Sequence, residues 1–455
     1  MRRLVPPGCV SERNVTLSLA IAVLGSLVVT IAHGHLFTAF IFELFGSNSS
    51  VGLLESASGF CALAAAVPVG LAVDKVSRTR LLRYAAALGL LAAVSGALAV
   101  VLGPVLAGPA EGGVRGPPGP LFTSLLLASL CFWGVFFTIA QSAALALFAD
   151  SAPRSSQQER QALYATKSTL TSLAFACGPL VALTSTLASD NDWRLERMPC
   201  ALLPGFLLMP VMCYLLTLFE EVDPEAAALQ VSLLERGGAG EAEDAATDRA
   251  RRPGAARPGT TWVPYLLLAA ELITSVGAGM TVKFFGLWFK NVHKVSPAGL
   301  AALSAATPVA IAVAVQFLNR LARASPYGPV PAVLALWLTS VGCLLAMAVA
   351  TDWRGLMLLH LLRTSLANCK EPIARAILAD AIPSSQRGRW NAVGSLTSMT
   401  WTGSAALGGF LCDRYGYGRT FVFTAVLYVF AALFWIPLVW MVPAERPAKK
   451  ERHKF

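Results

Sequence analysis

Apolar runs, each close to the length a helix needs to cross a lipid bilayer, recur along almost the whole chain. A spanning helix takes about 20 mostly apolar residues. Between polar breaks the runs fall at about 15–45, 50–73, 80–103, 120–149, 165–187, 198–219, 263–288, 297–318, 329–350, 356–379, 390–411 and 420–442. Inside a bilayer no water is available to backbone amides, so such runs must satisfy their hydrogen bonds internally, as helices. The expectation is an all-α integral membrane protein with twelve transmembrane helices. Composition agrees: only 14% of the 455 residues are charged, with a mean hydropathy of +0.61. Soluble domains carry about 25%.

The net charge of +10 raises the question of nucleic acid, and its distribution answers it. Alternate connections gather the basic residues, beginning with Arg2, Arg3 and Arg13, then Lys75, Arg78, Arg80 and Arg83. Twenty-five of the 36 Lys and Arg fall on that side. Cytosolic loops carry such an excess, so both termini are expected in the cytosol, in a plasma or organelle membrane. No nucleic-acid partner is expected; the partners are the bilayer and a small molecule, and the expected state is a monomer. The nine cysteines show no CxxC pair or His cluster; Cys61, Cys131, Cys177, Cys213, Cys343 and Cys369 sit inside apolar stretches and read as small core residues, without metal or a disulfide framework. The apolar stretch from Val15 is too long for a signal-peptide core and reads as a retained first span.

The chain divides into a cytosolic N-terminus (1–14), a six-helix bundle (15–219), a cytosolic linker (220–262), a second six-helix bundle (263–442) and a basic tail (443–455). The linker is rich in Gly, Ala, Glu and Arg without apolar periodicity, and is expected to be disordered. The two bundles echo each other. Ala149-Asp150-Ser151-Ala152-Pro153, with Arg160 and Leu170-Thr171-Ser172 beyond it, parallels Ala379-Asp380-Ala381-Ile382-Pro383 with Arg389 and Leu396-Thr397-Ser398. A weaker match links 30–45 with 274–289. Two pseudo-symmetric six-helix repeats are a common transporter plan. Asn48-Ser49-Ser50 spells a glycosylation sequon on the outer side.

Between spans two and three stands Gly70-Leu71-Ala72-Val73-Asp74-Lys75-Val76-Ser77-Arg78-Thr79-Arg80. This resembles the signature Gly-x-x-x-Asp-Arg/Lys-x-Gly-Arg/Lys-x-Arg/Lys of the major facilitator superfamily, with Ser77 where Gly is usual. Gly178-Pro179 in span five is similar to the Gly-Pro motif of that superfamily's drug/proton antiporters, although the flanking glycines are missing. The second-half echo of the signature, near Asn319-Arg320, is badly degraded. The resemblance implies the major facilitator fold, with spans one, four, seven and ten lining a central cavity. In physical terms, Asp74 can pair with Arg78 and meet the positive end of a neighbouring helix. Gly70, Asp74, Lys75, Arg78 and Arg80 then form a conformational latch, or else a plain positive-inside anchor.

Charges within the spans are costly and mark function. The candidate substrate or proton site consists of His33, Gln141, Glu271, Arg363, Asn368, Lys370 and Glu371. A buried carboxyl at Glu271 or Glu371 can carry a coupling proton, the alternative being a satisfied ion pair such as Glu371 with Arg375. Arg363 and Lys370 bind a substrate anion or zwitterion, or pair between helices. His33 is a proton relay or a packing residue. His35, Glu43, Glu55 and Lys283 are expected near the outer surface, free to snorkel. No P-loop, Gly-x-Ser-x-Gly or His-Glu-x-x-His appears, so neither ATP drive nor an enzyme is expected, and no cofactor beyond a coupling proton. The leading expectation is a secondary or facilitative transporter of a small organic solute. The alternative is a receptor or scaffold that keeps the fold without transporting.

Overall fold

A computed structural model of the protein describes residues 9–107, 118–152, 157–188, 190–222, 262–382, 397 and 400–442. The first half comprises α1 (Glu12–Ala32), α2 (His35–Phe45), α3 (Asn48–Lys75), α4 (Arg78–Leu106), α5 (Pro120–Ser151), α6 (Gln157–Leu187) and α7 (Met198–Thr217). The second comprises α8 (Val263–Asn291), α9 (Pro297–Ala324), α10 (Pro329–Val349), α11 (Trp353–Asn368), α12 (Glu371–Ala381), α13 (Ala405–Tyr415), α14 (Tyr417–Leu433) and α15 (Leu438–Met441). Ten spans among the described residues are long and apolar enough to cross a membrane. They match expected spans one to nine and twelve. Span ten is absent from that set because it is broken and strongly charged, and much of span eleven lies outside the described residues. The architecture is the twelve-helix, two-bundle plan.

Each half has its own apolar core. One is centred on Phe37, Phe40, Phe136 and Phe206, the other on Phe285, Phe289, Trp337, Phe421 and Trp435. Between the halves α3 lies along α13, α6 along α9, and α2 against α8. Two ends can then be distinguished. The near end carries Glu12, Lys75, Ser151, Thr217 and Val263; the far end carries Phe45, Leu187, Asn291 and Tyr417.

Three expected helices are not continuous; span twelve steps through turns at 434–437 between α14 and α15. Span one breaks between α1 and α2 at His33-Gly34. Gly34 is extended (φ −82°, ψ −167°), and a Cβ there would overlap the carbonyl oxygen of Thr30. Span ten breaks at Cys369-Lys370, one turn before Pro372 would have donated to Asn368. Proline has no N–H, and its ring crowds the carbonyl four residues back, so the helix restarts there. The first helix begins at Glu12 rather than 15, because Ser11 caps it by accepting from the Asn14 amide at 3.2 Å. Residues 1–8, the linker from 223 to 261 and the tail 443–455 lie outside the described residues, and with them most of the expected linker.

Candidate functional site

A cavity of about 1190 Å³ lies between the halves. His33, Gln141, Glu271, Arg363, Asn368, Lys370 and Glu371 all line it, although they come from four helices and two helix breaks. The breaks matter to this convergence. At the first, His33 turns its ring onto Trp133 with centroids 4.2 Å apart, and its buried Nε2 meets no partner among the described residues. At the second, Lys370 lies against the Trp337 ring, 4.3 Å from its centroid, and its Nζ stands 3.3 Å from a Glu271 carboxylate oxygen. Asn368 donates to the Thr364 carbonyl at 2.8 Å. Gln141 stands exposed on α5.

Ion pairs organise the wall. Lys370 pairs with Glu271, and Arg375 pairs with Glu371 at 2.7 Å, the local partnership the four-residue spacing suggested. A third pair joins the halves: Lys283 of α8 lies 3.0 Å from Glu55 of α3, which also accepts from the Thr38 hydroxyl at 3.1 Å. This corrects the expectation of snorkelling side chains. Glu55 is 3% exposed, Glu43 is paired with Lys290 of the other half, and His35 lines the cavity beside Gly286. Hydropathy places a charge along a span but not around it, so it could not distinguish a lipid-facing charge from one in the seam.

At the far end the halves are bonded together. The Asp413 carboxylate of α13 sits on the N-terminus of α3. It accepts from the amide and Nδ2 of Asn48, at 3.0 and 2.8 Å, and from the amide and hydroxyl of Ser49, at 2.7 and 2.5 Å. Tyr417 donates to Asn48 Oδ1 at 2.8 Å, and the Trp193 indole donates to the Val295 carbonyl at 2.8 Å. Backbones approach closely here: a Cβ on Gly52 would overlap the Ala405 carbonyl, and one on Gly409 the Asn48 carbonyl. Asn48, read as a glycan acceptor, is buried with its amide spent on this closure.

At the near end, charges pair within the first half. Arg13 pairs with Glu220, and Arg78 with Asp150, the acidic residue of the repeated Asp-x-x-Pro segment. The Arg78 and Thr79 amides donate to Glu221 at 3.2 Å each. Arg78 therefore has a carboxylate partner in α5, while its expected pairing with Asp74 falls outside the described side chains. Gly70 and Arg80 are exposed, and the side chains of Asp74 and Lys75 lie outside the described residues. The cavity continues toward this end as far as Arg375, whose side chain is exposed.

Asp413 was missed by sequence reasoning, yet a signal was present. Gly409-Phe410-Leu411-Cys412-Asp413-Arg414-Tyr415-Gly416 repeats the spelling Gly-x-x-x-Asp-Arg-x-Gly of the signature. The echo was sought between spans eight and nine, where the parallel repeat puts it; it lies instead between spans eleven and twelve, at the opposite end.

A family model described as Major Facilitator Superfamily matches residues 267–455. No curated protein sequence matches the chain significantly. Among solved structures, a D-xylose–proton symporter is similar at a TM-score of 0.67 and 13% identity, covering 92% of this chain and 97% of its own. The xylose transporter of E. coli in its inward open conformation gives 0.64 at 13%, covering 95% and 97%. A bacterial homolog of the human lysosomal transporter Spinster, inward-facing and unoccupied, gives 0.62 at 15%, covering 96% and 98%. The chain has the major facilitator fold.

Proposed function

We propose that this chain is a secondary transporter that carries a small organic solute across a membrane by alternating access. One observation supports this above all: the submerged charges of both halves face a shared cavity between them, while among the described residues the polar bonds between the halves gather toward one end. A cavity between two bundles that can rock against each other is what alternating access requires. The positive-inside distribution puts the near end and both termini in the cytosol, so the described state faces inward. The inward-facing conformations of the similar structures accord with that reading.

The roles of individual residues follow from the geometry. His33, Gln141, Asn368 and Arg363 contact solute. Glu271 is the carboxylate placed to accept a coupling proton, because protonation would break its pair with Lys370 and free that ammonium into the cavity. Glu371 is held by Arg375 and serves as a wall of the entrance. Gly70, Asp74, Lys75, Arg78 and Arg80 latch the near end in the opposite state, with Arg78 exchanging its Asp150 partner. The protein acts as a monomer, and Gly178-Pro179 aligns it with the antiporter-like subgroup of its fold.

Uptake of a panel of labelled metabolites into proteoliposomes, with and without a pH gradient, tests the reading. Saturable flux that Glu271→Gln uncouples from the gradient supports it. Gradient-independent flux removes the proton, and absence of flux for every solute removes transport.

A further inference from the structure

Among the described residues seven charged side chains line the cavity, four cations and three carboxylates. Lys283 has Glu55, Lys370 has Glu271, and Arg375 has Glu371. Among the described residues that leaves Arg363 without a carboxylate. It is 3% exposed, and its Nη2 donates to the Tyr428 hydroxyl at 3.2 Å. The guanidinium lies over the Phe285 ring at 4.9 Å, while its buried Nε meets no acceptor among the described residues.

An arginine has five N–H donors and does not escape burial by losing its proton. Taking a cation out of water without a counter-ion costs several kcal/mol. A structural arginine would have been given an acid; the other three cations in this wall were. We infer that Arg363 is the anion subsite of the cavity and that the solute it receives is an organic monocarboxylate with an uncharged body. The inference rests on the transporter reading above.

Geometry narrows the class further. The planar fork of a guanidinium matches a carboxylate through two parallel hydrogen bonds. His360 Nδ1 and Thr364 Oγ1, three residues before and one after on α11, are likewise buried and without a partner among the described residues, and both side chains line the cavity. They are placed to hydrogen-bond a carboxylate oxygen or an adjacent hydroxyl or keto group. With Glu271 ionised and paired to Lys370, one unmatched cation balances one negative charge, which disfavours dicarboxylates and phosphate monoesters. All three cavity carboxylates are already paired, so a solute ammonium finds no counter-ion, which disfavours amino acids. The opposite wall presents His33 on Trp133, Phe137 and Gln141, an aromatic and neutral surface for the body of the solute.

The experiment is thermal unfolding of the detergent-purified full-length chain with a fixed panel at equal concentration. Pyruvate, lactate, benzoate and indole-3-acetate are the monocarboxylates. Benzamide, phenylalanine, succinate and phenyl phosphate match them as neutral, zwitterionic and dianionic counterparts. At least one monocarboxylate should raise the midpoint, since a ligand that binds only the folded state stabilises it, and its counterparts should not. Arg363→Gln should abolish that rise while unfolding, without ligand, at a higher temperature than the wild type, because an uncompensated buried charge has been removed. Arg363→Lys keeps the charge without the fork and should weaken the response by about tenfold or more. A destabilised Arg363→Gln whose monocarboxylate response persists in Arg363→Lys at full strength overturns the assignment. So does a panel in which phenylalanine or benzamide acts as well as the acids, or in which no acid acts. Uptake of a neutral or zwitterionic solute unaffected by Arg363→Gln would leave the transporter reading standing and remove the anion subsite alone.

Discussion

The two ends of the seam between the halves are built on different principles. At the far end the halves meet through backbone approach at Gly52 and Gly409 and through a carboxylate set on a helix N-terminus. At the near end Arg13 and Arg78 find their acids within their own half. A helix N-terminus concentrates free amides and positive potential, so Asp413 gains both hydrogen bonds and charge from α3. The same spelling, Gly-x-x-x-Asp, occurs once at each end of the antiparallel pair of spans two and eleven. Each aspartate sits at the C-terminal end of its own span, and Asp413 meets the N-terminus of the other. The contrast teaches how one fold can treat its two ends differently: at the described far end a carboxylate and close backbone approach join the halves, while at the near end the described charges find partners inside the first half.

Filling the glycine contact should break this contrast most completely. Gly409→Leu puts a side chain where the Asn48 carbonyl stands, so the far end cannot close, and the described state should vanish from the ensemble. Spin labels on exposed Ala188 and Arg354 in a cysteine-free background would report it as a single, longer far-end distance. An unchanged distance distribution would show that the close approach is dispensable.

Lys283→Gln comes next, because it strands Glu55 in the seam without its cation. Removing one partner of a buried pair costs about 3–5 kcal/mol. A large drop in the unfolding midpoint is expected, with most of it recovered in Lys283→Gln/Glu55→Gln. Additive losses in the double variant would mean the two groups do not interact.

Asp413→Asn should act more gently, since the carboxylate is partly in solvent. The loss of charge-assisted bonds to α3 amounts to about 1 kcal/mol. It should appear as a second, longer far-end distance population at the expense of the described one, with little change in thermal stability. Should the folded protein lose stability instead, Asp413 is a structural cap and not a lock. Tyr417→Phe removes one hydrogen bond to Asn48, about 0.5–1.5 kcal/mol, and should shift the same populations in the same direction by less. A larger effect than that of Asp413→Asn would reverse the ranking of these contacts.

Much of this protein can be read without coordinates. Each span is a solvation decision: a run such as Leu125 to Phe137 has no stable place except lipid or a core, and its hydrogen bonds close locally whatever surrounds it. The location of charge along a span is equally readable, and His33, Gln141, Glu271, Arg363, Asn368, Lys370 and Glu371, from distant segments, line one cavity. The breaks were less legible. Pro372 and Gly34 are each ordinary inside a membrane helix, and only packing decides whether a helix bends, breaks or continues past them.

Pairing within a helix, as between Glu371 and Arg375, follows from spacing, but pairing between helices lay beyond the sequence. Glu55 and Lys283 belong to different halves, and so do Asn48 and Asp413. A charge at a given depth is compatible with lipid headgroups, a local partner or a distant one. Composition and periodicity decided that this chain dissolves in a membrane as two repeated bundles, since transfer of apolar surface and backbone satisfaction are local quantities. Which acid each cation received across the seam, and that Arg363 meets none among the described residues, was decided only when the bundles packed, because electrostatic pairing between helices depends on distances that chain order does not contain.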